Sequence, residues 1–139
     1  MRTPAAAPAP DAFLKLCPSR AVLARIGEKW TALVLVALKD GPMRFGALRR
    51  RLEGVSQKML SQTLRHLEQD GLILRTLHDE RPLRVDYALT ARGADLAPLL
   101  VALKAWAERH LHAIERSRME PEARTLLVDE VGASRAGGL

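Results

Sequence analysis

Apolar and polar positions along this 139-residue chain follow helical spacing in most places and a looser, strand-like pattern in one. Residues 1–11 are rich in Ala and Pro and lack periodicity, which reads as a disordered arm, with order expected from near Phe13. Pro18 suits the first turn of a helix, where a missing N–H costs nothing, and Val22, Leu23 and Ile26 follow it before Gly27 marks a break. From Lys29 to Lys39 the residues are apolar nearly all round, from Trp30 through Leu33, Val34, Leu35 and Val36 to Leu38. That predicts a buried central helix, stopped by Asp40-Gly41-Pro42 with Gly41 in the left-handed position after the helix.

The block from Arg44 to Thr90 predicts two short helices, a tight turn, a third helix and a two-stranded hairpin. Phe45, Leu48 and Leu52 recur at helical spacing, opposite Arg49, Arg50 and Arg51. Gly54 makes the turn and Ser56 is a good N-cap. Leu60, Leu64 and Leu67 then form an inward stripe, leaving Gln57, Lys58, Ser61, Gln62 and Arg65 outward, until Asp70-Gly71 ends the helix. Two apolar-rich runs, Leu72 to Leu77 and Val85 to Leu89, flank the polar loop HDERPLR as a hairpin. Thr90 caps a long helix reaching Arg116, with Leu96, Leu99, Leu100, Leu103, Trp106, Leu111 and Ile114 on its stripe. Pro98 either kinks that helix or marks a later start. Residues Glu122 to Glu130 could add a short helix before a flexible end.

Aromatic residues make up 4% of the chain, so the core must be built from Leu, Val and Ala, which favours helices. The net charge of +6 points to a polyanionic partner. The charge is concentrated: residues 44 to 84 hold nine Arg and Lys against five Asp and Glu. The single cysteine excludes an internal disulfide and a cysteine zinc cluster, and the four histidines show no metal spacing. Neither a signal peptide nor a membrane-spanning run is present, so a cytoplasmic protein is expected. No catalytic constellation, phosphate loop or cofactor motif appears, and neither an enzyme nor a cofactor is expected.

A helix presenting Gln57, Lys58, Ser61, Gln62 and Arg65 carries side chains that bond base edges in a major groove, and Ser56 starts it. Taken alone, such a helix could equally be an ordinary amphipathic surface helix. Its basic flanks, with Arg44 before it and Arg75, Arg81 and Arg84 on the hairpin, favour double-stranded DNA, the arginines supplying phosphate contacts and register. Asp79 and Glu80 make the hairpin tip mixed in charge. Cys17 leaves two readings: the commoner one, a buried inert thiol, or a thiolate favoured at a helix N-cap before Pro18, with Arg20 one turn in.

The chain resembles the HxlR family of bacterial winged helix–turn–helix regulators, which are MarR-like. The matching pieces are Cys17-Pro18, Gly27-Glu28-Lys29-Trp30, Arg44-Phe45-Gly46-Ala47-Leu48 and Val55-Ser56-Gln57-Lys58-Met59-Leu60. They continue with the run from Leu64 to Ile73 and with Tyr87-Ala88-Leu89-Thr90-Ala91-Arg92-Gly93, covering about residues 17–106. The loop His78 to Arg84 departs from the family's two adjacent prolines, having Pro82-Leu83.

The resemblance implies a mainly α winged helix–turn–helix with a small antiparallel β-hairpin, dimerising through its N- and C-terminal helices. It also implies a repressor or activator acting on a pseudopalindromic operator. Several family members sense oxidants, quinones or aldehydes through a cysteine near the start of the domain, where Cys17 falls; others respond to small ligands. The expected layout is an arm over 1–11, the regulator domain over 12–118 and an extension over 119–139. The expected homodimer surface contains Leu14, Leu99, Leu103, Trp106 and His110, since a three-helix core cannot cover so long a stripe. The rival readings are a winged-helix protein-interaction module and a ligand-responsive regulator without thiol sensing.

Overall fold

The computed structural model describes residues 8–120. The described residues divide into two compact units, one ending at Val101 and the other beginning at Ala102. In the first, α1 (Ser19–Ile26) and α2 (Lys29–Ala37) precede a 3₁₀ turn, Leu38–Asp40. A short strand β1 (Met43–Arg44) leads into α3 (Phe45–Arg51) and α4 (Gln57–Gln69). The strands β2 (Ile73–His78) and β3 (Arg84–Leu89) come next, and α5 (Ala91–Met119) begins in the first unit.

The central helix is as buried as its composition demands: Val34 and Leu35 are fully enclosed and Thr31 nearly so. Around them Leu38, Leu48, Leu52, Val55, Leu60, Leu64, Leu67, Leu72, Ile73 and Leu100 complete one core. It contains no fully buried aromatic; Trp30, Phe45 and Tyr87 pack against its edge. Leu, with its low rotamer cost in a helix, therefore does the filling on α2, α3 and α4.

Several elements differ from the sequence expectation. The 3₁₀ turn tightens the end of α2, and Gly41 (φ 139°, ψ 177°) adopts an extended positive-φ conformation rather than the left-handed helical one. Only glycine takes that geometry readily, and it swings the chain into β1. The block from Arg44 holds two helices, α3 and α4, rather than three, and Met43–Arg44 at its start is extended and pairs with β3. The expected two-stranded hairpin is consequently a three-stranded antiparallel sheet of order β1-β3-β2. A two-residue strand is too short to show an alternating pattern. Pro98 neither delays nor ends α5, which starts at Ala91 and runs through it.

Caps fall where side-chain chemistry directs. Ser56 Oγ accepts from the Met59 N–H at 3.0 Å and starts α4. Thr90 Oγ1 accepts from the Gly93 N–H at 3.1 Å and itself donates to the Gly71 carbonyl at 2.6 Å. Thus the residue that opens α5 also holds the turn that closes α4. Gly93 is buried with its Cα against the Leu72 carbonyl, a space a side chain would occupy.

In the second unit, α5 continues to Met119. The Trp106 and His110 rings stack with centroids 4.5 Å apart, and His110 Nδ1 bonds the Trp106 carbonyl at 2.9 Å. The bond to a carbonyl requires the proton on Nδ1. Lys104 and Glu108, one turn apart, pair at 2.7 Å. The expected helix over Glu122 to Glu130 lies outside the described residues, as does most of the 119–139 extension. Among the described residues, no helix is long and apolar enough to cross a membrane, and no cluster of His, Cys, Asp or Glu could hold a metal ion.

Candidate functional site

Helix α4 buries Leu60, Thr63, Leu64 and Leu67 and leaves Gln57, Lys58, Gln62 and Arg65 exposed, with Ser61 half-buried. The inward stripe holds the helix against the core; the polar stripe faces away from it. Helical spacing divides the outward residues into two rows. Gln57, Ser61, Arg65 and Glu68 form one, and Lys58 and Gln62 the other. Met59 is 43% exposed beside the second row, an apolar contact the sequence expectation did not include. Its one visible signal is its absence from the Leu60-Leu64-Leu67 stripe.

Ser61, Arg65 and Glu68 border a cleft of about 340 Å³, closed on its other side by Phe45, Arg75 and Tyr87. Arg75 and Tyr87 are cross-strand partners in the β2–β3 ladder. Tyr87 and Glu68 are further members of this site that sequence pattern alone did not single out. The cleft therefore has arginine on both walls, with the Tyr87 phenol beside Arg75.

The sheet separates the expected wing arginines. Side chains alternate across a strand, so Arg75 shares one face with Tyr87, while Arg44, Asp86, Thr76, His78 and Arg84 share the other. On that second face Asp86 gathers three cationic or ionisable groups: His78 Nε2 at 2.9 Å, Arg84 Nε at 3.6 Å and Arg44 Nε at 4.0 Å. Glu80 takes Arg84 Nη1 at 3.3 Å, and Arg84 Nε is buried without a hydrogen bond. The three arginines expected to contact phosphate therefore fall in three different settings. Arg75 lies beside α4, Arg81 is exposed in the β2–β3 loop, and Arg84 is held by two carboxylates.

The N-terminal turn also differs from expectation. Pro18, not Cys17, occupies the N-cap of α1, so the sulfur lies one residue before the cap. Arg20 does not face it: its guanidinium donates to the carbonyls of Ala12 (2.9 Å) and Phe13 (2.7 Å). Asp11, placed in the arm by composition, is tied into this turn, its carboxylate accepting from the Phe13 N–H at 3.0 Å. Cys17 is half-exposed; its Sγ lies 3.0 Å from Ser19 Oγ and 3.3 Å from the Asp11 nitrogen. The Ser19 hydroxyl, then the backbone N–H groups of Ser19 and Asp11, hold the thiol below its ordinary range, against a small opposing effect of burial. Cys17 is thus not fully buried.

Apolar side chains stand exposed around the candidate dimer surface. Leu14 and Leu99 are exposed in the first unit, with Phe13, Leu16, Val22 and Leu23 that the sequence expectation left out. In the second unit Leu103, Trp106 and His110 are exposed.

A short helix, a turn, a capped helix with an exposed polar face and a three-stranded wing define a winged helix–turn–helix protein. The HxlR-like helix-turn-helix family model matches residues 25–115, and the chain belongs to that family of transcriptional regulators. It is 42% identical over 111 residues to the HTH-type transcriptional regulator YtfH of Escherichia coli K12, covering 80% of this chain and 88% of that one. The solved structure of the ytfH transcriptional regulator from Salmonella typhimurium superposes with a TM-score of 0.74 at 42% identity, covering 79% of this chain and 98% of the other. The redox regulator HypR in its oxidised form gives a TM-score of 0.62 at 36% identity, covering 67% and 96%.

Proposed function

We propose that this protein is a homodimeric, operator-specific transcriptional regulator that reads DNA with α4 and is released or engaged by chemistry at Cys17. The observation that carries the first half is the exposed polar face of α4 set beside the Arg65–Arg75 cleft. Gln57, Lys58, Ser61, Gln62 and Arg65 enter the major groove, and Arg75 with Arg81 takes backbone phosphate. Ser56 caps the helix and can still donate its hydroxyl proton to a phosphate, since the cap uses only its lone pair. Arg44 and Arg84 add less, being balanced by Asp86 and Glu80. The exposed leucines of the α1 and α5 faces are the surface on which a second copy docks, placing two reading helices about 34 Å apart on a pseudopalindrome.

The test compares an operator selected by the wild type with random duplex in a gel shift. Gln62→Ala and Arg65→Ala are expected to cost about 1–3 kcal/mol on the selected site and little on random DNA. Arg75→Ala is expected to weaken both alike and to flatten the salt dependence by about one unit of slope. Equal losses on both DNAs for Gln62→Ala and Arg65→Ala would remove the reading role from α4.

For the thiol, the carrying observation is the Ser19–Asp11 hydrogen-bonded setting that favours thiolate. The similarity to HypR supports the same reading. Only the thiolate attacks an electrophile or peroxide. Modification of Cys17 by a maleimide is expected to persist to lower pH than that of a free cysteine. Cys17→Ser is expected to keep DNA affinity yet lose its response to a quinone or peroxide. A Cys17→Ser protein that still responds places the sensor elsewhere.

A further inference from the structure

Asp70, the residue closing the C-terminus of α4, stands where three elements meet, and no role above uses it. Arg25 of α1, 45 positions earlier in the chain, donates through Nη1 to both its carboxylate oxygens, at 2.9 and 3.0 Å. Arg92, in the first turn of α5, donates to the Asp70 carbonyl at 2.9 Å. Thr90 adds two more ties, to the Gly71 carbonyl at 2.6 Å through its hydroxyl and to the Leu72 carbonyl at 3.1 Å through its N–H. Two guanidinium groups at a helix C-terminus also meet the negative end of the helix dipole.

Packing duplicates these ties only in part, through Ile26 at the end of α1, half-buried against the core. Helix α1 buries none of its residues, and Val22 and Leu23 are 55% and 61% exposed. Between α1 and the start of α5 lies an open, mainly apolar groove of about 460 Å³, lined by Val22, Ile26, Leu72, Leu96 and Leu99 together with the charged Asp70, Arg92 and Asp95. A helix that leaves such a space beside it is free to tilt unless polar contacts hold it.

We infer that Asp70 is a positioning residue that fixes the angle of the reading helix against α1 and α5, and so sets which half-site spacing the dimer accepts. The inference rests on the dimeric reading above: α1 and α5 carry the second copy, so any rotation of α4 against them moves one reading helix relative to the other. Releasing the Arg25–Asp70 pair leaves each reading helix folded and able to bind its own half-site, but relaxes the distance between the two.

The experiment uses the full chain and synthetic duplexes carrying one half-site, two at the selected spacing, or two with about half a turn (roughly 5 bp) inserted. Affinities are read by fluorescence anisotropy, and dimer mass by sedimentation. The wild type is expected to lose about 100-fold on insertion, the scale of an avidity forfeited when geometry forbids joint engagement. Arg25→Gln and Asp70→Asn are expected to lose about tenfold or less on insertion, with dimer mass and single half-site affinity retained. Arg25→Lys is expected to keep the wild-type penalty, because a single nitrogen serves both carboxylate oxygens. Arg25 is 34% exposed, so its variants test the pair without removing the cap of α4. An unchanged insertion penalty in both Arg25→Gln and Asp70→Asn overturns the inference, as does a matching loss on the single half-site. A wild type indifferent to the insertion, or monomeric, instead overturns the dimeric reading beneath it.

Discussion

Leu60→Ala is expected to destabilise the protein by about 2–5 kcal/mol, the range for truncating a large apolar side chain in a filled core. Leu60 is fully buried on the inward stripe of α4, among other enclosed leucines that cannot collapse into the vacancy without moving their helices. In a domain of this size the loss should lower Tm by on the order of 10 °C or more. Leu74, on β2 and 57% exposed, provides the control. Leu74→Ala is expected to change stability by about 0.5 kcal/mol or less. Urea unfolding followed by circular dichroism measures both, and similar costs for the two would mean that α4 does not pack by the stripe described.

Gly93→Ala sets two effects of opposite sign against each other. In a helix interior alanine is favoured over glycine by about 1 kcal/mol. At Gly93, however, the added methyl would overlap the Leu72 carbonyl oxygen, which already accepts the Thr90 N–H. Backbone cannot rotate away as a side chain can, so overpacking of about 1–3 kcal/mol should win, with a net loss of stability. The same push would disturb the Thr90–Gly71 bond and hence the turn after α4. A rise in Tm for Gly93→Ala would show that α5 does not approach Leu72 this closely.

Much of this architecture is legible in the residues. The uninterrupted apolar run of α2, the Leu60-Leu64-Leu67 spacing and the caps Ser56 and Thr90 each rest on local chemistry that the chain states outright. What stays hidden depends on contacts between distant segments. Strand β1 exists only because Met43 and Arg44 meet Tyr87 and Asp86. The division of the arginines depends on strand register, which places Arg75 and Arg84 on opposite faces although both read simply as hairpin cations. Arg20 likewise looked placed to act on Cys17, and instead spends its donors on the Ala12 and Phe13 carbonyls. The Arg25–Asp70 pair joins residues whose own neighbourhoods give no sign of each other.

The balanced outer face of the wing bears on kinetics. Asp86 and Glu80 offset Arg44 and Arg84 there, whereas Lys58 and Arg65 on α4 and Arg75 on the opposite face of the sheet are exposed. On the proposed reading, the wing of the first unit therefore presents an approaching duplex with a weaker field on its outer face than on the side of α4. Long-range attraction of this kind turns a protein before it touches its partner, and it raises the association rate more than the final affinity. If α4 enters the groove as proposed, a collision on the outer face of the sheet gains little, and productive encounters are enriched in those that already point α4 at the duplex.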